Sequence, residues 1–398
     1  MNLILFDDPS IRQDLSPFTL TRPVSEIRVG ILTITEKWEK HLATKASFHT
    51  DNYLSEKYPL KSTDNNLLIN GAVCPDDELV KSIKALNKEE AIAYNGILIA
   101  AQTSKTSFDG IKVMDYPHEI TLIDQVWKIF QHNGAQIKAD FALITKNRKS
   151  SELNDSHTII YGEVGKDLFI EEGASVKAAV LNAEHGPIYI GKNAQVQEGA
   201  LIRGPFALGE GSTVNMGAKI RGDSTVGPFS KVGGEISNAV IFGYSNKGHD
   251  GFLGNSVIGE WCNLGADTNT SNLKNNYENV KIWNYKQGGF KDTGLQFCGL
   301  IMGDHSKCGI NTMFNTGTVV GVGCNIFGDG FPRTFIASFA WGGAAGFSTF
   351  QLNKMLDTAE KVYERRGKTL EDVDKKILQH LFESTQGNRV WEKKTVTS

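Results

Sequence analysis

Nowhere in the 398 residues does an apolar run approach the roughly 20 residues that a membrane-spanning helix requires. Charge of either sign is not in excess. The formal net charge is −3 with both signs interspersed, which argues against a dedicated nucleic-acid binder or a membrane-surface protein. Cysteine is scarce: Cys74, Cys262, Cys298, Cys308 and Cys324 form no CxxC pair, and an odd number suits free thiols in a reducing compartment. The opening Asn2-Leu3-Ile4-Leu5-Phe6-Asp7-Asp8 lacks a basic leader and turns acidic at once, so it reads as a buried first strand and not as a signal peptide. The expected location is the cytoplasm.

What the sequence does contain is a repeat. From Ile190 to Val232 an aliphatic residue falls on every sixth position: Ile190, Val196, Ile202, Leu208, Val214, Ile220, Val226 and Val232. A period of six matches neither a helix nor an alternating strand, but it suits short strands joined by tight turns with one inward residue per strand. Three such strands make one coil of a parallel β-helix, and the inward residues stack into a continuous dry core. Gly191, Gly209 and Gly227 stand beside inward residues, at turns where φ above zero would cost any other residue energy. Cys308 also falls on an inward position and reads as a small apolar core residue.

The remainder of the chain divides around that block. Residues 1–145 alternate apolar strands (Leu3 to Phe6, Asn66 to Asn70, Gly96 to Ala100) with helical patterns at Asp77 to Leu86 and Ile123 to His132, as in an α/β domain. The polar run Lys146-Asn147-Arg148-Lys149-Ser150-Ser151 reads as a linker. Repeat strands occupy 146–345, with a loop at 182–187 and a long excursion at 269–297 before period six returns at Met302, Cys308, Phe314, Val320 and Ile326. Residues 346–398 are helical, with an apolar face through Leu352, Met355, Leu356, Ala359 and Val362. A second helix is capped by Thr369, and the pair is expected to cover the end of the coil stack.

Two stretches carry chemistry. After the first strand comes Arg12-Gln-Asp-Leu-Ser-Pro-Phe-Thr-Leu-Thr-Arg22-Pro23, with Arg28 and Lys37 beyond it. Arg forks suit phosphates, and ligands of open α/β sheets bind beyond the carboxyl ends of strands. The alternative is a solvated loop whose arginines pair with Asp7, Asp8 or Asp14. The second stretch is Asn246-Lys-Gly-His249-Asp-Gly-Phe252-Leu-Gly-Asn255, followed by Asn263-Leu-Gly265-Ala266-Asp-Thr-Asn-Thr-Ser-Asn272. A Gly-flanked loop histidine beside amides and hydroxyls is suited to general-base work, though such a residue is also often a plain surface histidine.

Both stretches resemble known families. The first is similar to the tail of the sugar-nucleotidyltransferase signature, with Arg12 on its Arg and Pro23 on its Pro. Asp7 to Ile11 replaces the Gly-rich part, Val24 stands at the signature Lys, and no carboxylate follows Asn70 until Asp76 and Asp77, where the family holds Mg²⁺. The second is similar in order and spacing to the acetyltransferase core of the bifunctional GlmU family, and Lys231-Val-Gly-Gly-Glu235 looks closest to its archaeal and alternative bacterial branch. The resemblance implies a shortened, Rossmann-like nucleotidyltransferase domain, then a left-handed parallel β-helix and a C-terminal helical pair. It implies His249 as base and Lys231, Phe252, Asn263 and Asn272 around the sugar phosphate. Gly265 and Ala266 fall beside the acetyl-CoA thioester, and Arg12, Arg22 and Arg28 beside the nucleotide.

The implied function is acetylation of glucosamine 1-phosphate by acetyl-CoA, with UDP-GlcNAc formation from UTP by the first domain and Mg²⁺ where that domain turns over. A homotrimer with CoA between neighbouring coils is the expected assembly. Three other readings remain: acyl transfer to another nucleotide sugar, a sugar-nucleotide-binding scaffold without turnover, and a β-helical carbonic anhydrase using His185, His249 and His305 around zinc.

Overall fold

The computed structural model describes residues 2–392, which form two compact units: one from the N-terminus to Arg28 and Leu32–Val126, the other Val29–Ile31 with the chain from Trp127 onward. Among the described residues no helix is long and apolar enough to cross a membrane.

The first unit is built on a mixed six-stranded sheet. In spatial order its strands are Ala46–His49, Asn2–Phe6, Asn66–Asn70, Ile97–Thr103, Glu90–Tyr94 and Lys112–Asp115. Leu3, Ile4, Leu5, Leu67, Leu68 and Ile69 are buried, as expected for central strands covered on both faces. Strand Glu90–Tyr94 was legible in principle. It forms a hairpin with Ile97–Thr103 through Asn95-Gly96, both left-handed (φ 48° and 79°), which is the two-residue turn that Asn-Gly favours.

In the second unit a helix runs from Val126 to Thr145, beyond the expected His132, because buried Ile137, Phe141 and Ile144 continue its apolar face. The parallel β-helix follows. Its first face begins at Ile159–Tyr161, its second at Leu168–Ile170 and its third at Ser175–Val176. The third face is a ten-stranded sheet ending in the antiparallel strand Gly346–Thr349. All eight residues of the period-six series lie in one buried cluster. The register change after Val232 is a change of coil length. Thr213 stacks on Lys231 eighteen residues later, but Lys231 stacks on Asn246 and Asn246 on Asn263.

Backbone sterics explain the turn composition. At the corner between the second and third faces every coil has one left-handed residue: Gly173, Asn193, Gly211, Phe229, Tyr244, Trp261, His305, Gly323 and Phe339. Glycine and asparagine take this conformation at little cost, while an aromatic there costs about 1–2 kcal/mol. Stacking offsets it. The Phe229, Tyr244 and Trp261 rings lie 5.1 and 4.3 Å apart, and Tyr363 stacks on Trp261 at 3.8 Å.

Five expectations need correction. Gly191, Gly209 and Gly227 are not left-handed; a Cβ on them would lie 2.7, 2.6 and 1.8 Å from backbone atoms of the next coil, so it is the close stacking of coils that requires glycine there. The polar run 146–151 is pinned to the first coil: Arg148 pairs with Glu171 at 2.6 Å, and the Ser150 hydroxyl accepts from the Ile170 N–H. Asn269–Thr270 belongs to a coil, pairing with Met313–Phe314. Inward Thr270 replaces an aliphatic there by donating to the Phe252 carbonyl, so the excursion begins after it and carries the hairpin Lys281–Asn284 with Gly289–Asp292. The first C-terminal helix, Leu352–Glu364, lies along the aromatic corner and not over the end of the stack, because Tyr363 and Ala359 pack with Trp261. The end is closed by Gly346–Thr349, on which Trp391 donates to Thr349. Thr369 caps nothing; the second helix, Asp372–Ser384, begins after Glu371 with acidic residues in its first turn.

Candidate functional site

The corner between the third face and the next coil's first face holds His249. Its strand, Asn246–Lys247, ends at Gly248, and the chain turns through Asp250 and Gly251 into strand Phe252–Glu260. Gly251 is left-handed (φ 111°), and a Cβ on it would lie 2.2 Å from the Thr268 carbonyl oxygen, so stacking of the corners requires glycine. His249 is exposed and lines a cavity of about 370 Å³ with Asn215, Met216, Gly233, Gly234 and Asp250.

The corner holding Gly265 and Ala266 stacks on the next level, with the Asp267 N–H donating to the Asp250 carbonyl at 3.1 Å. The Gly265 N–H is committed to the Cys308 carbonyl at 3.1 Å, which removes it as an oxyanion donor; the Ala266 N–H has no partner among the described residues. On the first face, Phe252 and Asn272 lie together. A Cβ on Gly254 would be 2.5 Å from the Phe252 ring and 2.7 Å from the Asn272 amide nitrogen, which donates to Asn255. Lys231 and Asn263 stand apart from that pair, in one outward column of the third face with Asn246 between them. The corner therefore separates the two asparagines.

Sequence reasoning missed the groups that hold the corner. The Gly248 carbonyl accepts from Asn215 Nδ2 at 2.7 Å, and the carbonyls of His249 and Asp250 accept from Lys247 Nζ at 2.6 and 2.9 Å. A signal existed: Lys247 occupies an inward position between Val232 and Leu264. A second cavity, about 870 Å³, opens near the end of the coil stack between Trp283, Phe335, Phe347 and Trp391. His185, His249 and His305 do not converge. His305 is buried in line with Trp261 and Tyr363, and no cluster of three or more His, Cys, Asp or Glu able to hold a metal occurs among the described residues.

In the first unit, Arg12 sits on the short helix Pro9–Asp14, whose first turn is capped by Asp8. All five guanidinium N–H groups are engaged. Nε donates to Asp51 at 2.7 Å, Nη1 to Asp7 at 2.9 Å and the Arg22 carbonyl at 3.0 Å, and Nη2 to the Thr19 carbonyl at 2.5 Å and the Tyr53 hydroxyl at 2.9 Å. Burial pushes the Asp7 carboxyl up, against the pull of Arg12. Arg22 is buried, and Arg28 lies 3.6 Å from Glu36. No carboxylate ends the strand where the resemblance implies Mg²⁺. Asn70 bonds the Leu98 carbonyl and the Ala72 N–H, while Asp76 caps the helix Asp77–Lys84. These residues do not fit that cation site.

The sugar nucleotidyl transferase family model matches residues 3–149. The bifunctional protein GlmU of Methanocaldococcus jannaschii is 36% identical over 90 residues, which are 23% of this chain and 21% of that protein. GlmU of Methanococcus maripaludis is 32% identical over 108 residues, 26% of each. The matched stretches thus span about a fifth to a quarter of these relatives' length. Among solved structures, the UDP-N-acetylglucosamine acyltransferase of Campylobacter jejuni is 16% identical, covering 56% of this chain and 96% of its own with a TM-score of 0.26. Residues 3–149 therefore match the sugar nucleotidyl transferase family, the chain is similar to GlmU over about a quarter of its length, and its architecture is a nucleotidyltransferase-type sheet domain followed by a parallel β-helix.

Proposed function

We propose that the β-helix transfers the acetyl group of acetyl-CoA to the amino group of a sugar phosphate, glucosamine 1-phosphate first among them, with His249 as general base. The observation that carries this reading is an exposed imidazole lining a cavity one coil from the unpaired Ala266 N–H. The substrate ammonium loses one proton to solvent, and the free amine attacks the thioester carbonyl. A second proton passes from that nitrogen to the imidazole. The Ala266 N–H is the donor suited to the oxyanion, and breaking the C–S bond releases the CoA thiolate and leaves an amide. Phe252 and Asn272 on one side of the corner, and Lys231 and Asn263 on the other, are the candidate sugar-phosphate contacts.

For the first unit we propose recognition of the sugar nucleotide, with uridylyl transfer from UTP as the activity to assay. The departures at Val24 and Asn70, and the internal engagement of Arg12, favour binding over turnover. We also propose a homotrimer that holds CoA between neighbouring coils; Met216 and Ile310 on the His249 corner column, 71% and 69% exposed, suit burial in such an assembly. The test is thiol release from acetyl-CoA with glucosamine 1-phosphate. Turnover that falls about a hundredfold or more in His249→Ala supports the assignment. No turnover in the wild type refutes this acceptor.

A further inference from the structure

The inward column of the third face reads Val214, Val232, Lys247, Leu264, Cys308, Ile326. Five of the six are small or aliphatic, and all six are buried. An ammonium in a dry core costs free energy unless it is hydrogen-bonded, and an aliphatic residue would fill this level as it does the neighbouring ones. Lys247 is 1% exposed, and its Nζ turns outward to the end of its own strand, donating to the His249 and Asp250 carbonyls. Two of its three N–H groups are thereby used, on consecutive residues of the corner that presents the imidazole. Asn215 holds the preceding carbonyl, Gly248, from outside the coil, and the Asp267 N–H shares the Asp250 carbonyl from the next level. Three successive peptide planes are therefore fixed, two of them by one interior cation. Burial lowers the ammonium to about 8, with Asp250 and Asp267 opposing.

We propose that Lys247 is a positioning residue for His249: from inside the coil its ammonium clamps the 248–251 corner so that the imidazole is held at the cavity. The proposal rests on the reading of His249 as base. It accounts for a charge at a level where packing alone favours an aliphatic side chain, since only a long donor in the core reaches both carbonyls without occupying the cavity.

The test is Lys247→Met in the full chain, with Lys247→Leu, the residue of the next level, as a second variant should the first not fold. Three quantities are compared with wild type: kcat and KM for acetyl-CoA and glucosamine 1-phosphate, the thermal midpoint, and hydrogen exchange of the Asp267 amide. The expected result is kcat lower by about tenfold or more, KM within about twofold, a thermal midpoint unchanged or raised, and faster exchange at Asp267. A merely structural lysine would move activity and midpoint down together, and that outcome overturns the proposal, as does an unchanged kcat. If wild type shows no turnover, the acetyltransferase reading falls while the exchange data still decide the clamp: unchanged exchange at Asp267 refutes it, and accelerated exchange upholds it.

Discussion

Replacing Lys247 by methionine removes a buried charge from a column of aliphatic residues, and its effect on stability can be worked from the structure. Burial lowers the ammonium from its ordinary 10.5 to about 8. Below pH 8 the lysine is protonated in both folded and unfolded chains, so the full cost of burying the charge, roughly 3 kcal/mol, is present. Between about 8 and 10.5 the folded chain sheds the proton first and the cost fades; above that range it is gone. Methionine forfeits two hydrogen bonds to carbonyls. The His249 and Asp250 carbonyls both belong to exposed residues that water can reach, so this loss is about 1 kcal/mol. The variant should therefore be more stable by about 2 kcal/mol at pH 7, about 4–8 °C in thermal midpoint for a unit of this size. The advantage should vanish by pH 10.5. Calorimetric melts of both proteins at pH 7, 9 and 10.5 check this, and a variant less stable at pH 7, or a difference independent of pH, refutes the reasoning.

Gly254→Ala places a Cβ against the Phe252 ring and the Asn272 amide, both side chains able to move, so the chain should fold while the KM for the sugar phosphate rises several-fold in steady-state kinetics. Trp261→Ala strips the centre of the ring stack between Tyr244 and Tyr363 and should cost about 3–5 kcal/mol in urea unfolding, with early release of helix Leu352–Glu364. Arg12→Met leaves the buried Asp7 carboxylate without its guanidinium partner and should destabilise the first unit by about 3–5 kcal/mol at pH 7, measured by chemical denaturation. Because burial already raises the Asp7 pKa, protonation as pH falls should recover part of that loss.

The six-residue period determined the β-helix without help from the tertiary structure. One inward residue per strand is a local steric and hydrophobic requirement repeated in each coil, and the positions from Ile190 to Val232 all proved buried. The corner at His249 was legible for a related reason: a Gly-flanked histidine breaking the repeat marks a turn between strands. The resemblance to nucleotidyltransferases at Arg12 to Pro23 likewise agrees with the family matched over residues 3–149.

Only the three-dimensional arrangement decided which way each polar group faces. Arg12 read in the sequence either as a phosphate fork or as the partner of a nearby carboxylate; Asp7 is such a partner, but the other guanidinium donors reach residues as distant as Asp51 and Tyr53, which no local pattern can supply. Asn263 and Asn272 are nine positions apart, but coil geometry sets them on different faces of a corner. The helix Leu352–Glu364 carries the same amphipathic signal whether it covers an end or a side, and Trp261, 102 residues before Tyr363, chose the side. Lys247 is the sharpest instance. Its register was readable as inward, but the use of an inward ammonium depends on which carbonyls the following turn offers, and that is a property of the folded corner alone.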